Sequence, residues 1–249
     1  MSSIEAIWRQ IMKDIYKKGH IHHKDDAEIK EILNISVFID NPVKYVFPAT
    51  IKDSLSRQDF LDGIRAGYYD IDKYNMKGDA LADYVESLEN WDLINFDYDD
   101  DSAFVYTYPE RLRSIPVAPK FDNFMVDTED QLEHMIKRLK ENKGSNRAVA
   151  TLYNVGLDPY HVEDIPCLNW LQALIRDNDL YIAVMFRSND IYNAFPSNML
   201  FLMNIGMYIT EKLQEKYPKL VFDGVYYNCT SAHYYTNVVT DKIIEEIIK

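Results

Sequence analysis

The sequence predicts an α+β fold in a single domain spanning residues 1–249, and three observations carry that prediction. Apolar residues recur at helical spacing in "MSSIEAIWRQIMKDIYKKG" and "DTEDQLEHMIKRLKEN". Long β-branched and aromatic runs, "NWLQALIRDNDLYIAVMFRS" and "VFDGVYYNCTSAHYY", carry strand chemistry. The two kinds of segment do not alternate as regular parallel units would, so strands packed on helices are expected. No Pro-, Gly- or Ser-rich linker divides the chain, and its 249 residues are enough for one large core.

Taken in order, Ile4, Ile7, Trp8, Ile11, Met12 and Ile15 make the inner stripe of a first helix reaching about Lys18. "GHIHHKDD" reads as a turn, and residues 32–40 as a strand. Residues 53–67 and 77–90 read as helices, and "AFVYTY", 103–108, as a strand. The helix in 127–142 takes Asp127 or Thr128 as its cap. Its apolar stripe is Leu132, Met135, Ile136 and Leu139, and Gly144 follows its end. "RAVATLYN" then leads to two strands about the turn Asp177 to Asp179, the apolar helix "SNMLFLMNIGMYITEKLQEKY", and the last strand.

The composition is that of a globular chain, with 47% hydrophobic and 27% charged residues. A formal net charge of −13 argues against a nucleic-acid binder, which needs Lys and Arg to neutralise phosphates, so any anion site must be local. Two cysteines, Cys167 and Cys229, fit a reducing, cytoplasmic compartment, with a disulfide between them left open. The amphipathic start is neither a signal peptide nor a membrane span. The acidic run "NFDYDDD" reads as a solvated turn, and His20, His22 and His23 as a polar loop; no metal site is expected.

Residues 165–198 concentrate the candidate chemistry. Cys167, after a proline, reads either as a nucleophile activated by a cationic neighbour or as a small core residue. Arg187 with Ser188 suits a phosphate monoester, since a guanidinium fork takes two oxygens and a hydroxyl a third; a surface ion pair is the other reading. Asp190 and Asn198 suit the donor and acceptor edge of a heterocycle.

Together these residues resemble the thymidylate synthase family over about residues 5 to 237, closest to the compact branch found in archaea and some bacteria and phages. Pro166-Cys167 with Gln172 is similar to the nucleophile motif. "RSNDIYNAFPSN" is similar to the phosphate-and-pyrimidine motif, "DQLEHMIKRLKENKGSNR" to the helix leading to an arginine donated across a dimer, and "AHYYTN" to the His-x-Tyr near the end. "FVYTYPERLRS" carries the likeness to the compact branch.

The resemblance implies an α+β mixed sheet with packed helices, dimerising through sheet faces. It implies that Cys167 adds to carbon 6 of a pyrimidine nucleoside monophosphate and makes carbon 5 a nucleophile toward the one-carbon unit of 5,10-methylenetetrahydrofolate. Arg187, Ser188 and Arg147 from the partner subunit would hold the phosphate. Gln172 and Asp190 would order the nucleotide, Asn198 would bond the pyrimidine edge, and His233 and Tyr235 the ribose. Tyr108 matches a tyrosine near the nucleophile, or else a core aromatic.

The chain departs from the pattern at several places. Leu168 and Asn146 replace a common His and Arg, while Pro109 and Ala194 replace glycines. Lys24 is the substitute candidate for a missing N-terminal phosphate arginine. Glu86, with Asp59 behind it, is the candidate proton-relay carboxylate. Fourteen residues follow Tyr235, where longer synthases close a segment over folate, so water competes with hydride for the intermediate. The expected activity is a thymidylate synthase methylating dUMP. A 5-hydroxymethylase of dUMP, dCMP or CMP using the same folate is the alternative, and a non-catalytic nucleotide-binding relative a third reading.

Overall fold

A computed structural model describes residues 3–24, 27–41, 56–90, 106–116, 128–156, 158–160 and 165–249. Within them a six-stranded mixed sheet carries seven helices. The strands are β1 (His20–Lys24), β2 (Ala27–Asp40), β5 (Val149–Thr151), β6 (Leu168–Arg176), β7 (Asp179–Asp190) and β8 (Val221–Tyr235), in the order β1-β2-β8-β7-β6-β5. A separate two-stranded pair joins β3 (Ile115–Pro116) to β4 (Thr128–Glu129). All pairings in the large sheet are antiparallel except β7 with β8.

The helices are α1 (Ser3–Lys18), α2 (Arg57–Arg65), α3 (Gly78–Glu86), α4 (Tyr108–Arg113), α5 (Gln131–Glu141), α6 (Phe195–Gln214) and α7 (Val238–Ile247). Ser56 and Asp59 form a reciprocal capping box at α2, and Thr107 and Glu110 do so at α4. Helix α6 is buried on all sides from Phe195 to Thr210, as a helix apolar all round must be. It connects the parallel strands β7 and β8 and packs against α1, α2, α3 and α5. The indole of Trp8 on α1 donates to the carbonyl of Ile191 at 2.7 Å, tying the end of β7 to the first helix. Among the described residues no helix is long and apolar enough to cross a membrane.

Most elements lie where the sequence puts them, and three do not. "HIHHK" is an edge strand rather than a turn: it pairs with β2 from His20↔Glu31 to Lys24↔Ala27, and His22 Nδ1 lies 3.2 Å from Glu31. Tyr106 to Tyr108 are not strand, because Thr107 accepts the Glu110 N–H and starts α4 with Pro109 in its first turn; residues 103–105 of that expected strand lie outside the described residues. Asp130, not Asp127 or Thr128, caps α5 by accepting from the Glu133 N–H. The acidic run 95–101 also lies outside the described residues.

The close approach of α6 to β8 rests on Gly206. A methyl there would meet the Phe222 ring at 2.2 Å. Replacing Gly206 by Ala is therefore expected to lower stability by about 1–3 kcal/mol, seen as a lower urea midpoint at unchanged slope. Adding Phe222→Leu should recover most of the loss, since the ring is what the methyl meets. A Gly206→Ala protein as stable as its parent would show that helix and strand are not packed this closely.

Candidate active site

Cys167 stands immediately before β6, where three bonds to β7 hold it. The Arg187 N–H donates to the Cys167 carbonyl at 2.8 Å. The Arg187 side chain donates from Nε to the Pro166 carbonyl at 3.1 Å and from Nη2 to the Ile165 carbonyl at 2.5 Å. The guanidinium is thus fixed on the two carbonyls that precede the half-exposed Cys167. Both cysteines are free, which leaves the disulfide unformed.

Tyr108, the first residue of α4, places its hydroxyl 3.4 Å from the Leu168 N–H, whose bond it accepts. Its ring lies against Phe186 and Phe201. Burial, and then the neighbouring Cys167, push this phenol well above its usual range, so it remains a neutral hydroxyl. Tyr108 and Cys167 are therefore brought together.

The parallel register of β7 and β8 collects the next group. Ser188 pairs with Ser231 and Asp190 with His233. The Asp190 carboxylate accepts from the Asn193 backbone at 3.0 Å and its amide at 2.8 Å. His233 is buried, its ring edge-on to the half-exposed Tyr235 at 5.7 Å. Asn198, in the first turn of α6, turns its amide to Tyr84, whose hydroxyl donates to Oδ1 at 2.7 Å.

Other expected residues stand elsewhere. Gln172 lies five residues along β6 and spends its amide on the Asn146 carbonyl at 2.7 Å. That bond braces the loop carrying Arg147, which is exposed at the sheet's β5 edge and borders a shallow cleft of about 340 Å³ with Arg138 and Asn142. Lys24 closes β1, and its side chain lies outside the described part of the structure. Glu86 is not brought to Cys167: its carboxylate is 2.7 Å from Arg65 in a cluster shared with Asp79 and Asp83. It stands two positions after Tyr84, about 200° around a helix, so the same turn that points Tyr84 at Asn198 turns Glu86 toward α2. Asp59 is spent on capping α2, and the Ser56 bonds hold its carboxyl below the usual range.

Sequence reasoning missed Tyr84, Asn189 and Tyr227. Asn189, the variable residue of Arg-Ser-x-Asp, is buried and donates its amide to the Tyr227 hydroxyl at 3.0 Å. Tyr227 reads as one more inward aromatic of an alternating strand, and nothing in the pattern marks its hydroxyl.

Comparison with known proteins agrees with this geometry. The family model described as "Thymidylate synthase" matches residues 73–248. The chain belongs to the thymidylate synthase family. It is accordingly a one-carbon transferase. It is 29% identical over 241 residues to a protein named "Putative thymidylate synthase" from Methanocaldococcus jannaschii, covering 94% of this chain and 89% of that one. A protein of the same name from Methanothermobacter thermautotrophicus is 28% identical over 247 residues, covering 97% and 94%. The "Deoxyuridylate hydroxymethyltransferase" of Bacillus phage SP01 is 26% identical over 250 residues, covering 98% of this chain and 60% of the phage protein.

The two thiols differ in a measurable way. Cys229 is 1% exposed, and burial pushes its thiol from 9.0 up to about 11. Because the thiolate is the reactive form, iodoacetamide at pH 8 is expected to label Cys167 and spare Cys229 in the native protein, as read by peptide mass spectrometry. The unfolded chain releases the Cys229 proton near pH 9 and the folded chain near 11. Stability from this group is thus fully present below pH 9 and is lost as pH rises toward 11, by about 2–3 kcal/mol.

Proposed function

We propose that the protein is a thymidylate synthase acting on dUMP, and that the junction of Cys167 with Arg187 carries this reading. A half-exposed thiol on a segment gripped by a fixed guanidinium, with a neutral tyrosine hydroxyl bonded to the next residue, is suited to covalent activation of a ring. The Cys167 sulfur adds to carbon 6 of the pyrimidine. The electron pair of the carbon 5–carbon 6 bond moves toward carbon 5 and the carbonyl at carbon 4, where an Asn198 N–H stabilises the developing charge and Oδ1 accepts the ring N–H. Arg187 and Ser188 hold the 5′-phosphate, while His233 and Tyr235 take the ribose hydroxyl. Asp190, oriented by Asn193, orders water and the nucleotide beside them.

An activated carbon 5 requires a one-carbon electrophile, which fits the donor set. 5,10-Methylenetetrahydrofolate, when bound, supplies that unit and the hydride that reduces it to methyl. Glu86 has no part in this reading, because Arg65 holds its carboxylate. A second reading, 5-hydroxymethylation of dUMP by addition of water in place of hydride, is favoured by the likeness to the phage hydroxymethyltransferase along nearly the whole chain.

The protein is further proposed to work as a homodimer through the open face of the sheet. Antiparallel strands alternate apolar-in and polar-out when one face meets water. Here the outward residues include a large apolar group: Leu33, Tyr226 and Met185 are 63%, 45% and 41% exposed, and Trp170, Leu174 and Tyr181 are half-exposed. A patch of that kind is an association surface. Arg147, exposed at the β5 edge, would serve the partner's phosphate site, a reading supported by the family resemblance of the helix that leads to it.

Incubation with dUMP and methylenetetrahydrofolate, followed by mass spectrometry, is expected to give methylated nucleotide together with dihydrofolate. Hydroxymethylated nucleotide without dihydrofolate would establish the second reading, and Cys167→Ala should abolish either product. Mixing inactive Arg147→Ala and Cys167→Ala proteins is expected to restore about a quarter of wild-type activity, since half the randomly exchanged dimers carry one intact site of two. No recovery after verified subunit exchange would place Arg147 outside the partner's site.

A further inference from the structure

Helix α4 is six residues long, yet it grips the chain both before and after Cys167. Tyr108, at its start, accepts the Leu168 N–H at 3.4 Å. Arg111, a turn later, donates from Nη2 to Asp158 Oδ1 at 2.7 Å. Asp158 opens a short turn, Asp158–Tyr160, in the chain leading to Cys167. Both side chains of this pair are buried, at 7% and 1% exposure, and the other Asp158 oxygen accepts the Asn154 N–H at 2.6 Å. The Gln131 amide adds to the grip by donating to the Arg111 and Thr151 carbonyls, both at 2.8 Å.

The two grips are unequal. The Tyr108 bond is neutral and long, and holds little by itself. The Arg111–Asp158 bond is charge-assisted, short and shielded from water. Because Tyr108 and Arg111 share one helical turn, the strong contact sets where the weak one falls.

Stability alone does not account for the pair. Two buried charges lose about as much in desolvation as they regain by attraction, and an apolar pair of like volume often serves as well. Here the balance is worse, since Arg111 Nη1 is buried with no hydrogen-bond partner among the described residues. What an apolar pair lacks is direction: a guanidinium on a carboxylate fixes distance and angle, where methyl groups slide. The group that needs direction is the Tyr108 hydroxyl. Accepting from Leu168, it keeps its own hydrogen to give, and burial holds it neutral. A donor serves a neighbouring sulfur only when held within about 0.5 Å of its working position.

We propose that the buried Arg111–Asp158 pair is a clamp that sets the Tyr108 hydroxyl against Cys167, making Arg111 and Asp158 positioning residues that govern the reactivity of the thiol without touching substrate. The proposal rests on the reading that Cys167 is the nucleophile and Tyr108 its neighbour.

The test is the pH profile of Cys167 alkylation by iodoacetamide in the full-length protein, read by peptide mass spectrometry, with urea midpoints measured alongside. Tyr108→Phe is expected to move that profile upward and to slow labelling at pH 7 roughly twofold to fivefold, because the thiolate loses a donor. Arg111→Met combined with Asp158→Leu should slow labelling as much while leaving the urea midpoint unchanged or raised, a separation that a role in stability alone does not give. Asp158→Asn, nearly the same shape, is the second variant where the apolar pair does not fold. Adding Tyr108→Phe to either should slow labelling no further, since both act through one hydroxyl. Wild-type labelling in both clamp variants, or slowing that adds in full to that of Tyr108→Phe, would overturn the clamp, as would unchanged labelling in Tyr108→Phe itself. The reading beneath fails separately: if Cys167→Ala still converts dUMP, Cys167 is not the nucleophile, whatever the labelling shows.

Discussion

The parallel pairing of β7 with β8 is the constraint on which the rest of the molecule depends. Parallel neighbours need a long crossover, and here it is α6, a 20-residue helix buried along most of its length. Once the two strands run together, Phe186 stands beside Cys229, Ser188 beside Ser231 and Asp190 beside His233. The β6–β7 hairpin, closed by Asp177 in the left-handed region, then brings Cys167 back to Arg187. The hairpin thus joins Cys167 to Arg187, and the crossover joins Asn198 to Asn189 and His233 to Asp190.

The same crossover creates a demand that the site exploits. A helix buried on every side cannot leave side-chain amides unpaired. Asn204 answers by accepting from Arg57 and donating to the Val85 carbonyl at 2.7 Å, which fastens α6 to α2 and α3. Asn198, two turns earlier, answers through Tyr84 on one side and Asn189 on the other. What satisfies burial at Asn198 also holds its side chain between α3 and β7.

The strands of the core were legible because their chemistry is uniform. β8 runs from Val221 to Tyr235 as read, and the turn between β6 and β7 lies at residues 177–178. The polar edge strand was not legible: "HIHHK" has no buried face to mark it, and only its partner β2 makes it a strand. Tyr108 was misplaced in a strand because an aromatic run outweighed the Thr-x-x-Glu signal that starts α4. At the candidate site, the resemblance of ordered motifs, more than the chemistry of any one residue, pointed to Cys167, Arg187, Ser188, Asp190, Asn198 and His233, and the structure joins Cys167 to Arg187 and Asp190 to His233. Glu86 was the best-positioned carboxylate along the sequence, yet its carboxylate lies on Arg65 while Tyr84 meets Asn198, and phase at a single residue depends on which neighbour packs there. Tyr227 is indistinguishable from a core aromatic until its hydroxyl has a partner.

Arg187 joins these strands of argument. On the proposed reading, a phosphate dianion in a chain of net charge −13 has to be met by cations fixed in place rather than by a general field. A guanidinium has five N–H groups, of which Nε and one on Nη2 are committed to the Pro166 and Ile165 carbonyls. Three remain for an anion, so the group can hold the loop bearing Cys167 and still receive a phosphate. On the proposed reading each contact would support the other: the carbonyls orient the fork before substrate arrives, which lowers the ordering cost of binding, and a bound anion would steady the loop behind Cys167. A lysine, a point charge on a flexible stem, has no planar fork with which to grip two carbonyls and an anion at once.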